Sequence, residues 1–318
     1  MISRLATLLL ATLCCVWLSG CPAVMEKPLR LGTNQWIGYE PFYLAREQNA
    51  LDRSKVRLIE YTTSVPVIDA MRNNLIDAAA LTLDESLALQ QQVKDLRLIA
   101  VLDFSNGADI LIGKPDILTL ADLRGKRVAV ENQATGAYLL SRALASAGMS
   151  LQDVIQVPVA VDQHEAAMAD PGIAAIVCYQ PVATRLLNGG NHRLFDSSRV
   201  PGEIVDVLVV REATLQQKPA NLRYLLRAWA IGREYLQRDP DAAIRLMQAR
   251  QQLTPAQIKA NLQELRFPDA EENRSLLQAN SPLQQTMLKL KQHMLQTGLL
   301  STSQPAPPLL PAAGGAVE

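Results

Sequence analysis

The 318-residue sequence is poor in aromatic residues and in cysteine, and it has no excess of either charge. Aromatic side chains make up 4%, and 31 Lys and Arg residues balance 31 Asp and Glu residues. The neutral balance argues against a nucleic-acid-binding protein, which usually carries a basic excess. No apolar run reaches the roughly 18 residues that a membrane-spanning helix needs. The 48% of apolar residues excludes wholesale disorder, and the length suggests two domains or lobes.

Cysteine is too scarce for a disulfide framework, and the known signatures of catalysis are missing. Of four cysteines, only Cys178 lies outside the first 21 residues, and its apolar surroundings predict a small core residue rather than a nucleophile. The three histidines, His164, His192 and His293, lack the spacing of metal ligands. No P-loop, G-x-S-x-G or G-x-G-x-x-G motif occurs. We therefore expect no cofactor, no metal and no enzyme activity.

The first twenty residues have the pattern of a secretory signal peptide. Arg4 precedes the apolar run Leu5–Leu18, which is short for a bilayer span and suits a signal sequence. Leu18-Ser19-Gly20-Cys21 resembles the lipobox of bacterial lipoproteins. This resemblance implies cleavage before Cys21 and acylation of that cysteine, with palmitate among the lipids; the alternative is an ordinary secretory signal with an accidental cysteine. We therefore predict a signal peptide over 1–20 and a lipidated linker over 21–27.

The rest of the chain predicts an α/β protein with a helical C-terminal region. Short apolar runs alternate with helical patterns as far as about Arg211, which indicates a mainly parallel sheet covered on both faces. After about Pro219 only helical patterns remain, and Ser301–Glu318, rich in Pro, Ala and Gly, is predicted to be a disordered tail. The predicted strands are Leu29–Thr33, Val56–Tyr61, Ile76–Leu81, Leu96–Leu102, Ile110–Ile112, Arg127–Val130, Val154–Val157, Ile173–Cys178 and Val205–Val210.

Four segments resemble the periplasmic substrate-binding proteins of ABC importers, in the group for nitrate, sulfonates, taurine and thiamine precursors. Leu31–Ala45 (LGTNQWIGYEPFYLA) is followed in the family's order by Asp69–Ala79, Leu120–Val130 and Ala174–Pro181. The last segment departs from the family pattern, because Ala174 stands where an Asp is usual. The resemblance implies a type II periplasmic binding protein fold, with two α/β lobes, two hinge crossovers and the ligand in the cleft between the lobes.

The predicted elements can be divided between two such lobes. Lobe 1 would comprise residues 28–112 and 205–300, and lobe 2 residues 113–204. The crossovers would then lie near Gly113–Pro115 and Pro201–Asp206, which hold Gly or Pro as hinge residues. Open α/β sheets bind ligands at the carboxyl ends of their strands, and closure of two hinged lobes around a solute is a known conformational change.

Candidate ligand-binding residues follow the predicted strands, and each also has an ordinary structural explanation. After the first strand, Trp36 and Tyr39 could stack on a ligand or pack beneath the next helix, and Glu40 adjoins them. Thr82 and Asp84 could face the cleft or cap a helix. The remaining candidates are Ser105, Asn106 and Asp109 in a polar turn whose Asn-Gly pair is also a hairpin signal; Glu131, Asn132 and Thr135 before a helix; Tyr179; and Asp206, which could instead be a solvated hinge residue.

The charge of these candidates bears on the ligand. A strand-to-helix turn such as Glu131–Gly136 can bind an anion, and in the nitrate and sulfonate members the resemblance implies such a contact. Here Glu40, Asp84, Asp109, Glu131 and Asp206 make the predicted rim acidic, with few basic residues to offset it. Because like charges repel strongly at short range, we expect a cationic or neutral ligand rather than nitrate or a simple sulfonate.

The function that the sequence favours is that of a lipid-anchored solute-binding protein. It would deliver a small polar molecule to an ABC permease on the periplasmic side of the bacterial cell envelope. An alternative is a ligand-sensing co-receptor for a membrane sensor kinase or cyclase, which would use the same fold. A third alternative is an enzyme like the fungal thiamine-pyrimidine synthases, but those carry a cysteine-rich motif that this sequence lacks.

Overall fold

The computed structural model describes residues 27–131, 135–301 and Leu309. Its strands are β1 Leu29–Thr33, β2 Val56–Glu60, β3 Ala78–Thr82, β4 Leu96–Ser105, β5 Asp109–Gly113, β6 Arg127–Val130, β7 Ile155–Pro158, β8 Ala175–Tyr179, β9 His192–Asp196, β10 Val205–Arg211 and β11 Leu265–Arg266. The predicted signal peptide, Cys21 and Asn132 lie outside the described residues, as does most of the predicted tail.

Twelve α-helices occur within the same residues. They are α1 Glu40–Glu47, α2 Ser64–Arg72, α3 Leu83–Gln90, α4 Thr135–Ser146, α5 His164–Ala169, α6 Val182–Asn188, α7 Glu212–Gln217, α8 Pro219–Arg238, α9 Pro240–Gln251, α10 Pro255–Gln263, α11 Ala270–Leu276 and α12 Pro282–Gln296. In the described part of the chain, no helix is long and apolar enough to span a bilayer. After β10 the chain is almost entirely helical, as predicted, apart from the two residues of β11.

The strands form two separate sheets. The first has the order β11-β4-β10-β3-β1-β2 and the second the order β7-β6-β8-β5-β9. This arrangement confirms the mixed α/β fold of the periplasmic binding protein type. Two strands, β9 and β11, were not predicted, because His192–Asp196 is polar and Leu265–Arg266 is too short to show a pattern.

The expectation of a mainly parallel sheet was wrong, because both sheets are mixed. In the first sheet β1 pairs with β2 and β3 in parallel, whereas β10 lies antiparallel to β3 and β4. In the second sheet β6 pairs in parallel with β7 and β8, whereas β5 lies antiparallel to β8 and β9. The reversed strands, β5 and β10, are the first strands after the chain passes from one sheet to the other, so they enter from the opposite end.

The hairpin interpretation of the turn after β4 was also wrong. β4 continues to Ser105, three residues beyond its predicted end, and β5 pairs within the second sheet rather than with β4. The segment Asn106–Ala108 is therefore a crossover between sheets, and the sequence had assigned Ile110–Ile112 to the wrong sheet. The return connection runs over residues 197–204, close to its predicted place, and the two connections touch through the Ser105 and Ser197 hydroxyls at 2.7 Å.

Both faces of the first sheet are buried. Along β3, Ala79 and Leu81 belong to one apolar cluster and Ala78 and Ala80 to another on the opposite face. The second cluster lies beneath α1 and α8, which approach so closely that a Cβ at Gly232 would lie 1.8 Å from the carbonyl oxygen of Pro41. Such close packing of α8 against α1 fixes the start of α1, and with it the loop that follows β1.

Cys178 and Leu309 bear on two of the sequence-based expectations. Cys178 is buried in the apolar core of the second sheet, as expected, and burial raises the pKa of its thiol. Leu309 lies within the predicted disordered tail, yet its side chain is buried and its carbonyl oxygen accepts a hydrogen bond from the Leu98 amide at 2.9 Å. This residue at least is ordered against β4.

Candidate functional site: a closed cavity between the two sheets

A cavity lies where the two sheets face each other. The space between its lining atoms is about 360 Å³, a volume that includes open solvent at the mouth. Both sheets and their following loops contribute to it. The lining residues are Asn34, Trp36, Tyr39, Ser64, Thr82, Glu85, Asp109, Glu131, Thr135, Gly136, Tyr179 and Asp206.

Strand direction explains why these residues meet. Asn34 and Glu131 directly follow β1 and β6, and Thr82 and Tyr179 are the last residues of β3 and β8. The crossover strands run the other way, so their first residues reach the same edge. Asp206 of β10 pairs with Thr82 of β3, and Asp109 of β5 pairs with Tyr179 of β8. The cavity is thus at the carboxyl ends of the parallel strands, where open α/β sheets bind ligands.

The loop after β1 places two aromatic residues against two carboxyl groups of the first sheet. The Trp36 indole Nε1–H donates to Asp103 Oδ2 at 3.3 Å, and the Tyr39 hydroxyl donates to Asp206 Oδ1 at 2.5 Å. A Cβ at Gly38 would lie 2.2 Å from Asp103 Oδ2 and 2.3 Å from Trp36 Nε1. Glycine is therefore required for this close approach, and the loop is held as part of the cavity wall.

Direct contacts join the two sides of the cavity. The Asn34 amide donates to the Tyr179 hydroxyl at 3.0 Å, and the rings of Trp36 and Tyr179 meet edge to face with centroids 5.6 Å apart. At the other side, the hydroxyls of Thr82 and Thr135 are 2.7 Å apart. The structure is therefore a closed arrangement of the two sheets.

The start of α4 faces a carboxylate. Thr135, the first residue of α4, donates its hydroxyl hydrogen towards Asp84, whose carboxylate oxygens lie at 3.2 and 3.4 Å. Asp84 belongs to α3, which follows β3 of the first sheet. A helix N-terminus favours negative charge, and here the protein's own carboxylate already approaches it. An anionic ligand at this position would have to lie beside Asp84.

Five buried carboxyl groups surround the cavity, and burial raises the pKa of each. The pKa is raised to about 8 for Glu85 and for Asp103 and to about 7 for Asp109 and Glu131. The pKa of Asp206 is also raised well above its usual value, by burial and then by the charge of Asp103, its cross-strand partner on β4. Like charges directly opposite each other on a sheet repel, so this pair readily holds a proton.

The acidic groups have no basic neighbour within the described lining of the cavity. Among the described residues that line the cavity there is no Lys, Arg or His. Asp109 Oδ2 and Glu131 Oε1 accept no hydrogen bond. Both residues are buried, with 6% of their surface exposed. Buried polar atoms usually have partners. The cavity therefore presents unused hydrogen-bond acceptors and an excess of acidic groups.

Most of the sequence candidates lie together at this cavity. Trp36, Tyr39, Thr82, Asp109, Glu131, Thr135, Tyr179 and Asp206 all line it, and Asp84 lies just behind Thr135. Glu40 points away from it and accepts hydrogen bonds from Arg250 and Gln251. Ser105 lies in the contact between the crossovers, and Asn106 is exposed. Asn132 is outside the described residues.

Sequence reasoning missed Asn34, Ser64, Glu85 and Gly136 of the lining, and Asp103 behind it. Asn34 and Glu85 adjoin residues that were selected, so only their orientation was unknown. Asp103 had a signal that was not used: it interrupts the apolar run Leu98–Phe104, and a charged residue within a buried strand is unusual.

Comparisons with known proteins agree with this architecture. A sequence profile of the NMT1-like family matches residues 23–250, so the chain belongs to the NMT1-like family. A search of curated proteins found no match. Among the residues that the structure describes, no group of three or more His, Cys, Asp or Glu side chains is arranged to hold a metal ion.

Solved structures share the fold at low sequence identity. The alkanesulfonate-binding protein from Xanthomonas axonopodis pv. citri, bound to MOPS, is 18% identical with a TM-score of 0.75, covering 88% of this chain and 96% of its own. The periplasmic nitrate-binding protein from Synechocystis PCC 6803 is 14% identical with a TM-score of 0.72, covering 87% and 83%. A desulfurization enzyme is 16% identical with a TM-score of 0.63, covering 88% and 94%. The fold is thus shared by binding proteins and by at least one enzyme.

Proposed function

We propose that this protein is a solute-binding protein that encloses a small polar molecule between its two sheets and releases it unchanged. The observation that carries the proposal is the closed cavity, with direct contacts between Asn34 and Tyr179 and between Thr82 and Thr135 across it. The family membership and the likeness to the sulfonate- and nitrate-binding proteins support a binding role. Closure around a solute buries the ligand and satisfies its polar groups.

The chemistry of the cavity favours binding over catalysis. Covalent catalysis needs a nucleophile within reach of a base. The only cysteine among the described residues, Cys178, is buried in the core of the second sheet, and burial raises the pKa of its thiol. The lining hydroxyls of Thr82 and Thr135 contact each other, and no His lines the cavity in the described chain. We therefore propose that the protein is not an enzyme.

The test is a ligand screen coupled to a measurement of closure. A ligand should raise the thermal midpoint by mass action and reduce the radius of gyration in solution scattering. Trp36→Ala should weaken binding about tenfold or more, since buried tryptophans dominate recognition. Asn106→Ala is the matched control, because that side chain is exposed. Conversion of a bound ligand into a product would overturn the proposal.

We also propose that the protein is anchored by lipid at Cys21 and delivers its solute to an ABC permease. The basis is the lipobox pattern over 18–21 and the family resemblance. Cys21→Ser should release the protein in soluble form, whereas an unchanged membrane fraction would contradict the anchor. Loss of uptake of the labelled ligand on deletion of the gene would support import; intact uptake with a lost transcriptional response would favour the sensor role instead.

A further inference from the structure

Two buried acceptors of the cavity have no hydrogen-bond donor. Asp109 Oδ2 at the start of β5 and Glu131 Oε1 after β6 are buried and accept no hydrogen bond. Both residues line the cavity. A ligand that fills the cavity must supply donors to these oxygens, because a buried carboxylate without a partner is costly. Nitrate and a simple alkanesulfonate have no donors to offer.

Several other lining groups are already hydrogen-bonded, whereas the Ser64 hydroxyl and Asp206 Oδ2 are buried without a partner. The Tyr39 hydroxyl donates to Asp206, the Asn34 amide donates to Tyr179, and the hydroxyls of Thr82 and Thr135 are in contact. These bonds leave the cavity with few free donors for an anion. At the start of α4, where backbone amides could otherwise bind an anion, Asp84 contributes a carboxylate.

The aromatic residues complete the site. Trp36 and Tyr179 meet edge to face, so their rings stand at nearly right angles where the two sides of the cavity meet. Aromatic rings bind the carbon skeleton of a ligand and also attract a cation over their faces. Carboxylates combined with aromatic rings therefore suit a cation on a carbon frame. A bare metal ion fits less well, because the described residues offer no cluster of three metal-ligating side chains.

We propose that the cavity binds a small organic cation with N–H donors, such as a primary amine or a diamine, with Asp109 and Glu131 accepting its hydrogen bonds. This inference rests on the proposed function, since it names the class of solute. It separates the protein from the sulfonate and nitrate binders that share its fold. Charge-assisted hydrogen bonds of this kind are among the strongest in proteins.

The groups around these acceptors set their protonation. After burial, the charges of Asp84 and Glu264 raise the pKa of Asp109, and the charge of Asp162 raises that of Glu131, while the Thr63 hydroxyl lowers the latter. The charges of Asp103, Asp109 and Glu85 add to the effect of burial on the pKa of Asp206, and the Tyr39 hydroxyl opposes it. None of these neighbours is basic, and burial keeps the pKa of Asp109 and of Glu131 at about 7. A bound ammonium group stabilises the ionised carboxylates, so binding near pH 7 should release protons to the buffer.

The experiment is isothermal calorimetry on the mature protein with a panel matched in size. The panel comprises butylamine, 1,4-diaminobutane, tetramethylammonium, taurine, ethanesulfonate, nitrate and butanol. Each compound is titrated in two buffers with different ionisation enthalpies, which measures proton release. We expect an amine with N–H donors to bind with proton release, and tetramethylammonium, ethanesulfonate and nitrate not to bind.

Variants test the two acceptors. Glu131→Gln and Asp109→Asn should each weaken amine binding about ten- to a hundredfold, as loss of a charged hydrogen bond does. Asp116→Asn is the control, because it removes the same formal charge at an exposed position. If Glu131→Gln fails to fold, Asp109→Asn and the proton release of the unaltered protein still decide the question.

The outcomes separate this inference from the proposed function. Tight binding of ethanesulfonate, nitrate or butanol that is lost in Trp36→Ala would overturn the cation inference and leave the solute-binding function standing. Amine binding that is unaffected by both acceptor variants, or that releases no protons, would also overturn the inference. If no compound of any charge class binds, both proposals fail.

Discussion

Glu40 and the carboxyl groups at the cavity are all buried, but they differ in what neutralises them. Glu40, only 1% exposed, accepts hydrogen bonds from Arg250 at 3.1 Å and from Gln251 at 2.6 Å. Arg250 also pairs with Glu60 at 2.5 Å and lies over the Tyr43 ring, 3.3 Å from its centroid. One residue earlier in the chain, Tyr39 faces Asp206, which has no basic partner in the lining.

The difference teaches that the acidic cavity is a local property. Where a carboxylate serves packing, as Glu40 does between α1 and α9, the fold supplies an arginine and a glutamine. Burial still raises the pKa of Glu40, and the charge of Arg250 opposes that rise. At the cavity, burial raises the pKa of Asp103 and Glu85 to about 8 with no such opposition from a basic residue. The unpaired group is therefore available to a ligand.

The largest expected effect is a loss of stability when the ion pair between Glu40 and Arg250 is broken. Arg250→Met leaves Glu40 buried without a counter-charge, and breaking a buried pair on one side typically costs about 3–5 kcal/mol. We expect the free energy of unfolding in urea to fall by that amount. The double variant with Glu40→Gln should regain most of the loss. A decrease of less than about 1 kcal/mol would mean that Glu40 is neutralised in another way.

The pH dependence of stability tests the cavity carboxyl groups, which have no basic partner in the lining. In the folded chain the pKa of Asp103 and of Glu85 is about 8, whereas unfolded carboxyl groups titrate near about 4. Between these values the folded state holds more protons than the unfolded state, so stability should fall as pH rises from 5 to 8.

Thermal midpoints across that range measure the effect in the protein without ligand. Asp103→Asn keeps the shape of the side chain and removes one titrating group, so its profile should be flatter and its midpoint at pH 8 higher than that of the unaltered protein. A midpoint that rises between pH 5 and pH 8 would contradict the assigned direction of these pKa shifts. Addition of a binding amine should reduce the slope, since it stabilises the ionised form.

Gly38→Ala tests the link between the loop and the cavity carboxyl groups. The added methyl would lie 2.2 Å from Asp103 Oδ2, so the indole and the carboxyl group must separate. Overpacking of this kind costs about 1–3 kcal/mol, and ligand affinity should fall as well. Gly172→Ala, whose Cβ would come no closer than 3.3 Å to Asp170, is the control. Equal stability of the two variants in urea would show that the loop can adjust to the added methyl group without a loss of stability.

The smallest effect is expected at the crossover turn. Asn106 is exposed, and its contribution to the fold is a backbone hydrogen bond from its amide to the Glu264 carbonyl at 2.8 Å. Asn106→Ala should therefore change stability by less than about 0.5 kcal/mol and leave ligand affinity unchanged, as measured by urea unfolding and calorimetry. A tenfold loss of affinity would indicate that the ligand binds near the crossover rather than beside Trp36.

The sequence predicted the strands near the site better than it predicted their partners. The positions of Thr82, Glu131 and Tyr179 at strand ends could be found because apolar runs end where polar residues begin. The sheet to which β5 (Asp109–Gly113) belongs could not be predicted, since Asn-Gly between two strands is as compatible with a hairpin as with a crossover. The domain boundaries proposed from the sequence remain predictions. They group β5 with the first sheet, whereas β5 pairs within the second.

The amino-acid order alone determined the alternation of strands and helices, the family, and the acidic character of the residues that follow the strands. Only the tertiary structure decided that Asp103 and Asp206 lie opposite each other and that Glu40 faces Arg250 instead of the ligand. Tyr39 and Glu40 are neighbours at a helical start, and adjacent residues of a helix point in directions about 100° apart. The sequence shows that a charged residue is present at a position, but the direction of its side chain depends on contacts with residues far along the chain.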